Sequence, residues 1–184
     1  MANRRENTLP YEESITFNGV NRHFLFNTLN SIVAFCRISP PKAAELTVTL
    51  SDYLYRSIDA KGPIVPLTEE IEHLKLFLKI QETRFPQRLK VLYRINTYVN
   101  PGVPPFILQA VGEWAAKIAT GELIVDLKEH AEELLVTYTL AGVPKKTVNI
   151  GALQERVKKH GLPKIVIMEN DYGCELVLKI PIQN

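Results

Sequence analysis

Two stretches with helical periodicity, residues 14–38 and 41–58, are separated only by Ser39-Pro40, with Pro41 opening the second, and this junction constrains the chain more than any other feature. Proline cannot continue a helix but is tolerated in the first turn of the next, so the two stretches fold back as an antiparallel helical hairpin. On the first, Leu25, Leu29, Ile32 and Cys36 recur at helical spacing as an apolar seam, widened by Phe26 and Val33. On the second, Leu46, Leu50, Tyr53 and Leu54 share a face, with Ser57 further along. A hairpin buries each seam on one side only. The apolar surface that remains asks for a partner, most simply a second copy in a four-helix bundle.

Lys61-Gly62-Pro63 breaks regular structure and divides the chain into residues 1–62 and 63–184. Residues 1–13, polar and interrupted by Pro10, read as a loose arm or a frayed helix start. A third helix starts at Val65-Pro66-Leu67-Thr68-Glu69-Glu70, with Thr68 as its cap and the glutamates at the positive end of its dipole, and runs to Phe85. Ile71, Leu74, Phe77 and Leu78 form its buried side. Strands are expected at 89–96, 122–127, 133–141, 164–168 and 175–180, and helices from 103 to 119 and from 150 to 160, the latter stopped by Gly161. The fold class is therefore α+β, a helical hairpin followed by an α/β sandwich with a mixed sheet.

Composition removes several functional classes. A chain of 184 residues with 46% hydrophobic residues can bury a core, and a net charge of +2 with 23% charged residues gives no nucleic-acid footprint and no polybasic membrane anchor. The basic run Arg156-Val157-Lys158-Lys159-His160 reads as the solvated end of a helix, where cations suit the dipole. Cys36 and Cys174 show neither CxxC spacing nor a disulfide framework, which fits a reduced, cytoplasmic setting. His23, His73, His130 and His160 are scattered without metal-ligand spacing, so no metal site is expected. No apolar run approaches the ~18 residues of a membrane span.

Beside the apolar seam of the first helix, His23, Asn27 and Asn30 stand at i, i+4 and i+7, so an imidazole and two carboxamides project from one face. Packing alone does not demand two asparagines there. The run His23-Phe24-Leu25-Phe26-Asn27-Thr28-Leu29-Asn30 resembles the phosphoacceptor box of LytS-type sensor histidine kinases, close to Asn-Pro-His-Phe-Leu-Phe-Asn-Ser-Leu-Asn. Arg22 stands where that family has proline, and Thr28 replaces serine. The stretch from Val65 through Gln81-Glu82-Thr83-Arg84-Phe85 also resembles the family, whose helix there leads into a GHKL-type ATPase domain. Such kinases carry a sensor region upstream, and the expectation here is that input reaches the chain from a partner or from the polypeptide itself.

The resemblance implies three places that hold Mg-ATP, and this sequence departs at each. Pro104-Pro105-Phe106-Ile107-Leu108-Gln109 matches the family's helix start, and Glu113 and Lys117 stay in register, but Trp114 occupies the place of the metal-holding asparagine. An indole has one N–H donor and no oxygen for a hard cation. The adenine-binding Asp-Asn-Gly turn corresponds to Thr139-Leu140-Ala141-Gly142, without a carboxylate, and the glycine-rich phosphate loop keeps only Gly151 after a short lid at 143–148. These positions read as degenerate, with no cofactor expected and Trp114 filling the vacated cavity.

The expected function is a dimeric two-component signalling protein that relays phosphate through His23, with Asn27 orienting the imidazole or an attacking water, or that only docks partners. Phosphoryl transfer to an aspartate relies on positioning and on the partner's metal, so it needs no ATP site. The implied partners are a second copy and a response-regulator receiver domain or a partner kinase. In architecture this is similar to the sporulation-type phosphotransferases. The alternatives are an active ATP-dependent kinase with a divergent nucleotide site, and a scaffold or inhibitor of another kinase.

Overall fold

The computed structural model describes residues 16–17, 20–59, 62–145, 148–159 and 165–182. Two short strands, β1 (Thr16–Phe17) and β2 (Val20–Asn21), pair antiparallel ahead of α1 (Arg22–Ile38), and Ser39 alone links α1 to α2 (Pro40–Asp59). The first helix thus begins at Arg22, not near Ser14 as its periodicity suggests. Asn21 adopts an extended backbone (φ −73°, ψ 122°), and its side-chain oxygen accepts from the N–H groups of His23 and Phe24. That is the geometry of an N-cap, which ends the preceding strand and starts the helix. The expected arm at 1–13, Lys61 of the expected linker, Gly161 and His160 lie outside the described residues.

The expected seam of α1 is only partly the buried one. Phe24 and Thr28 are its buried residues, with Leu25, Ile32 and Phe35 packed against the core, whereas Leu29 and Cys36 are exposed. The stripe of α1 is wide enough to offer two edges, and contacts within the chain take the Phe24–Thr28 edge. There the Phe24 ring lies 5.3 Å from Tyr53 of α2 and 5.0 Å from Phe77 of α3 (Leu67–Arg84), measured between ring centroids. Aromatic contacts at such distances favour tilted and edge-on rings and hold the hairpin on the rest of the molecule.

Past the hairpin, β3 (Val65–Pro66) pairs with β5 (Gly102–Val103), and this pairing sets the start of α3. Thr68 is not the cap. Its own N–H donates to Asn100 Oδ1 at 2.9 Å, so a side chain from before β5 satisfies the helix start. A five-stranded sheet follows in the order β4 (Lys90–Asn96), β6 (Glu122–His130), β7 (Glu133–Ala141), β9 (Gly173–Pro181) and β8 (Val166–Asn170). The β4–β6 pair is parallel and the others antiparallel, so the sheet is mixed. Strands β6 and β7 run further than the polar letters at 128–132 suggest, because Ala131 takes a positive φ of 54° and makes the turn short.

Helix α4 (Ile107–Ile118) and α5 (Gly151–Lys159) complete the fold, and α4 is packed between α3 and the sheet. Gly112 allows that approach. A Cβ there would stand 2.6 Å from Leu74 Cδ1 of α3, with Tyr138 of β7 close by. Both Leu74 and Tyr138 are fully buried, so neither can yield much. Among the described residues no helix is long and apolar enough to cross a membrane.

Candidate functional site

Because α1 starts at Arg22, His23 lies in its first turn rather than deep in a helix. Arg22 occupies the first helical position, where proline loses nothing by lacking an N–H, which explains why the LytS pattern carries proline there. His23 is exposed, and Phe24 beside it is plugged into the aromatic cluster of Tyr53 and Phe77, so the backbone under the imidazole is pinned. One turn on, the Asn27 amide Nδ2 lies 2.9 Å from His23 Nε2 and 3.2 Å from Nδ1, so its N–H can donate to a neutral ring. Asn30, the third polar residue of the stripe, is exposed and further along the helix.

His23 and Asn27 border a cleft of about 180 Å³ between α1, the end of α3 and the outer side of α4. Arg84 and Arg88 enter from the α3 side, Glu113 and Lys117 from α4. Asn21, while capping α1, donates from Nδ2 to Glu113 Oε1 at 3.3 Å and so ties the start of α1 to α4. Arg88 donates to the carbonyls of Lys117 and Ala116 at 2.8 and 3.1 Å, closing the end of α4, and its guanidinium lies over the Phe85 ring. Burial together with the nearby charge of Arg88 lowers the pKa of Arg84 from its ordinary value.

Helix α4 is held from within. Its N-cap, Phe106, has a left-handed backbone (φ 64°) and gives no side-chain cap. Instead the Glu70 carboxylate of α3 accepts from Phe106 N–H at 2.7 Å and Leu108 N–H at 3.2 Å, serving as a cap from another element. Burial pushes Glu70 up to about 7, against the backbone N–H groups that pull it down. Near it, Ser57 Oγ donates its one proton to the Tyr53 carbonyl at 2.8 Å, so His73 Nε2–H must donate to Ser57 at 2.9 Å. Burial pushes His73 down to about 4, which keeps it neutral.

Of the positions singled out for nucleotide, Glu113 and Lys117 join His23 and Asn27 at the cleft, whereas Trp114, Gly142 and Gly151 do not line it. Trp114 is half-buried and packs against the hydrophobic core. Gly142 follows the end of β7 with φ 73° and donates its N–H to the Tyr172 carbonyl at 2.8 Å. Gly151 opens α5, with its N–H donating to Asn149 Oδ1 at 3.0 Å. Arg84 and Arg88 were not among the residues expected at the site. Their spacing of four across a helix end, beside Phe85, was the available signal.

Residues 15–89 match the family described as histidine kinase. The sensor protein LytS of Bacillus subtilis (strain 168) is 36% identical over 102 residues, which cover 54% of this chain and 17% of that protein. The chain contains a LytS-type histidine kinase core. LytS of Enterococcus faecalis (strain ATCC 700802 / V583) is 31% identical over 137 residues, 69% of this chain and 23% of that protein, so the core spans a fifth or so of these relatives' length. Histidine kinase ThkA, solved in complex with the response regulator TrrA, aligns with a TM-score of 0.52 at 11% identity, covering 88% of this chain and 59% of that one. At such identity the likeness speaks to the fold, a helical hairpin joined to a mixed-sheet α/β domain.

Proposed function

We propose that this core carries phosphate on His23 for a two-component pathway and does so without productive ATP binding. The observation that carries the reading is the exposed His23–Asn27 pair at the mouth of a cationic cleft, with its backbone pinned by Phe24. In the reaction, a lone pair of one imidazole nitrogen attacks the phosphorus of a receiver's aspartyl phosphate. The N–P bond forms as the acyl P–O bond breaks, the electron pair leaves with the aspartate carboxylate, and the other ring nitrogen keeps its proton. Asn27 orients the ring beforehand, its N–H leaves the attacking nitrogen as the phosphorus approaches in line, and the receiver supplies its own metal.

The residues at the nucleotide positions do not fit Mg-ATP. Trp114 offers no oxygen to a hard cation, and Thr139-Leu140-Ala141-Gly142, the counterpart of the adenine-binding turn, carries no carboxylate. Phosphoryl transfer through His23 therefore needs no nucleotide. The partner is a response-regulator receiver domain, the class of protein bound in the ThkA complex. Residues 1–62 are the dimerisation and phosphoacceptor unit and 63–184 the ATPase-like unit. Exposed Phe26, Val33 and Ile38 on α1, with Val48, Tyr55 and Ile58 on α2, support a second copy as the occupant of that apolar surface.

The test is incubation with a phosphorylated response regulator. Label is expected to appear on the wild-type chain and not on His23→Gln. A scaffold would leave signalling intact in His23→Gln. The second reading, an ATP-dependent kinase, is favoured by the Asn21–Glu113 bond, which holds His23 against the helix that bears the kinase's metal-ligand position. Saturable micromolar binding of a fluorescent ATP analogue with Mg²⁺, together with labelling of His23 from Mg-ATP alone, would establish it and refute the first.

A further inference from the structure

Among the described residues Arg84 is a poorly satisfied cation of the cleft. Its buried Nε has no hydrogen-bond partner among them, and its Nη1 makes a 3.4 Å bond to Gln81. Among the described residues no carboxylate pairs with it or with Arg88, and both guanidiniums lie over the same Phe85 ring, at 4.9 and 4.8 Å from its centroid. Two neighbouring positive charges, partly removed from water and sharing no counter-ion, are unfavourable until an anion joins them. The cleft that Arg84 lines holds three cations and one carboxylate, and that carboxylate, Glu113, is already bonded to Asn21. Arg88 spends two of its nitrogens on the α4 carbonyls, so its role is charge and support, whereas Arg84 commits only Nη1, at 3.4 Å to Gln81, among the described residues.

What the cleft faces is the His23 ring, in the first turn of α1, where the helix dipole favours negative charge. A volume of about 180 Å³ admits a phosphoryl group together with water. We propose that this cleft is a phosphoryl cradle, in which Arg84 donates to the oxygens of the group carried by His23 and Arg88 reinforces the charge. The inference rests on His23 being the phosphoacceptor and names the residue that stabilises the product. Arg84 is well suited because a guanidinium presents a planar fork to tetrahedral oxyanions, while lysine acts there as a point charge. Burial and the adjacent Arg88 disfavour the cation of Arg84 in the cleft, and an arriving dianion offsets that penalty.

The experiment uses phosphoramidate, a small donor whose N–P bond breaks with loss of ammonia as the bond to His23 forms, and needs no partner protein. Phosphorylation of His23 is followed by mass spectrometry in the full chain, in Arg84→Gln and in Arg84→Lys, with circular dichroism as the check on folding. The expected result is labelling of wild type, about tenfold slower labelling of Arg84→Gln, and a rate in between for Arg84→Lys. Equal rates in wild type and Arg84→Gln would overturn the cradle and leave His23 as phosphoacceptor. Failure of wild type to accept phosphate at His23 would overturn both. Should Arg84→Gln not fold, the ¹⁵N resonance of Arg84 Nε in wild type decides. It is expected to shift when His23 is phosphorylated, and an unmoved resonance refutes the contact.

Discussion

Helices α1 and α4 meet at one cleft and are built on opposite terms. Within the described chain α1 buries only Phe24 and Thr28 and leaves its chemistry-bearing residues at the surface, capped by its own Asn21. Helix α4 buries Ile107 to Gly112, Ala115 and Ala116, borrows its cap from Glu70, and tolerates no side chain at Gly112. The difference assigns them different work. A histidine that must be reached by another protein belongs on an exposed turn held at one point, whereas α4 is the wall against which that turn is set.

The contrast yields a graded series of stability losses, each measurable by urea denaturation. Gly112→Leu, which forces a side chain into Leu74 and Tyr138, is expected to cost about 3 kcal/mol or more, and a loss under about 1 kcal/mol would mean that α4 is not welded to α3. Glu70→Ala leaves the Phe106 and Leu108 N–H groups without their acceptor and should cost roughly 2–3 kcal/mol. Asn21→Ala removes the cap of α1 and its bond to α4 for about 1 kcal/mol. His23→Gln should lie within about 0.5 kcal/mol of wild type, since the ring is exposed. If His23→Gln were as damaging as Glu70→Ala, the distinction between the exposed and the anchored helix would collapse.

Glu70 and His73 sharpen the same comparison through pH. With its folded pKa raised to about 7, Glu70 holds its proton better in the native chain, so its contribution falls as pH rises from 4.5 toward 7. With its folded pKa lowered to about 4, His73 resists protonation, so its contribution falls as pH drops from 6.5 toward 4. Between pH 4.5 and 6.5 the two oppose each other. Glu70→Gln leaves the His73 dependence alone, and thermal unfolding should then show stability rising with pH across that window more steeply than in wild type. A parallel pair of curves would mean that Glu70 is ionised throughout.

Much of this architecture can be read from the letters. The Ser39-Pro40 junction separates α1 from α2, and the spacing of His23 and Asn27 brings their side chains together as a helix requires. The true start of α1 was hidden because Ile15 to Val20 continues an apolar pattern compatible with helix, while the strand that forms there depends on the β1–β2 pairing. Thr68 looked like a cap because local sequence favours it, yet a distant Asn100 reaches the helix start first. The cleft itself was not legible, since Arg84 and Arg88 come to line it with His23 only when the end of α3 is brought beside the start of α1.

The sequence by itself determined the long helices, the five strands of the main sheet and which helix bears the imidazole, because hydrophobic period and proline act over a few neighbouring positions, whereas the short strands at 16–17, 20–21, 65–66 and 102–103 depend on their pairing. Tertiary structure alone decided which edge of α1 is buried, that Glu70 holds the start of α4, and that Arg84 and Arg88 line one cleft with His23. Those outcomes depend on side chains between about thirty and sixty-five positions apart, whose meeting is set by how the elements pack.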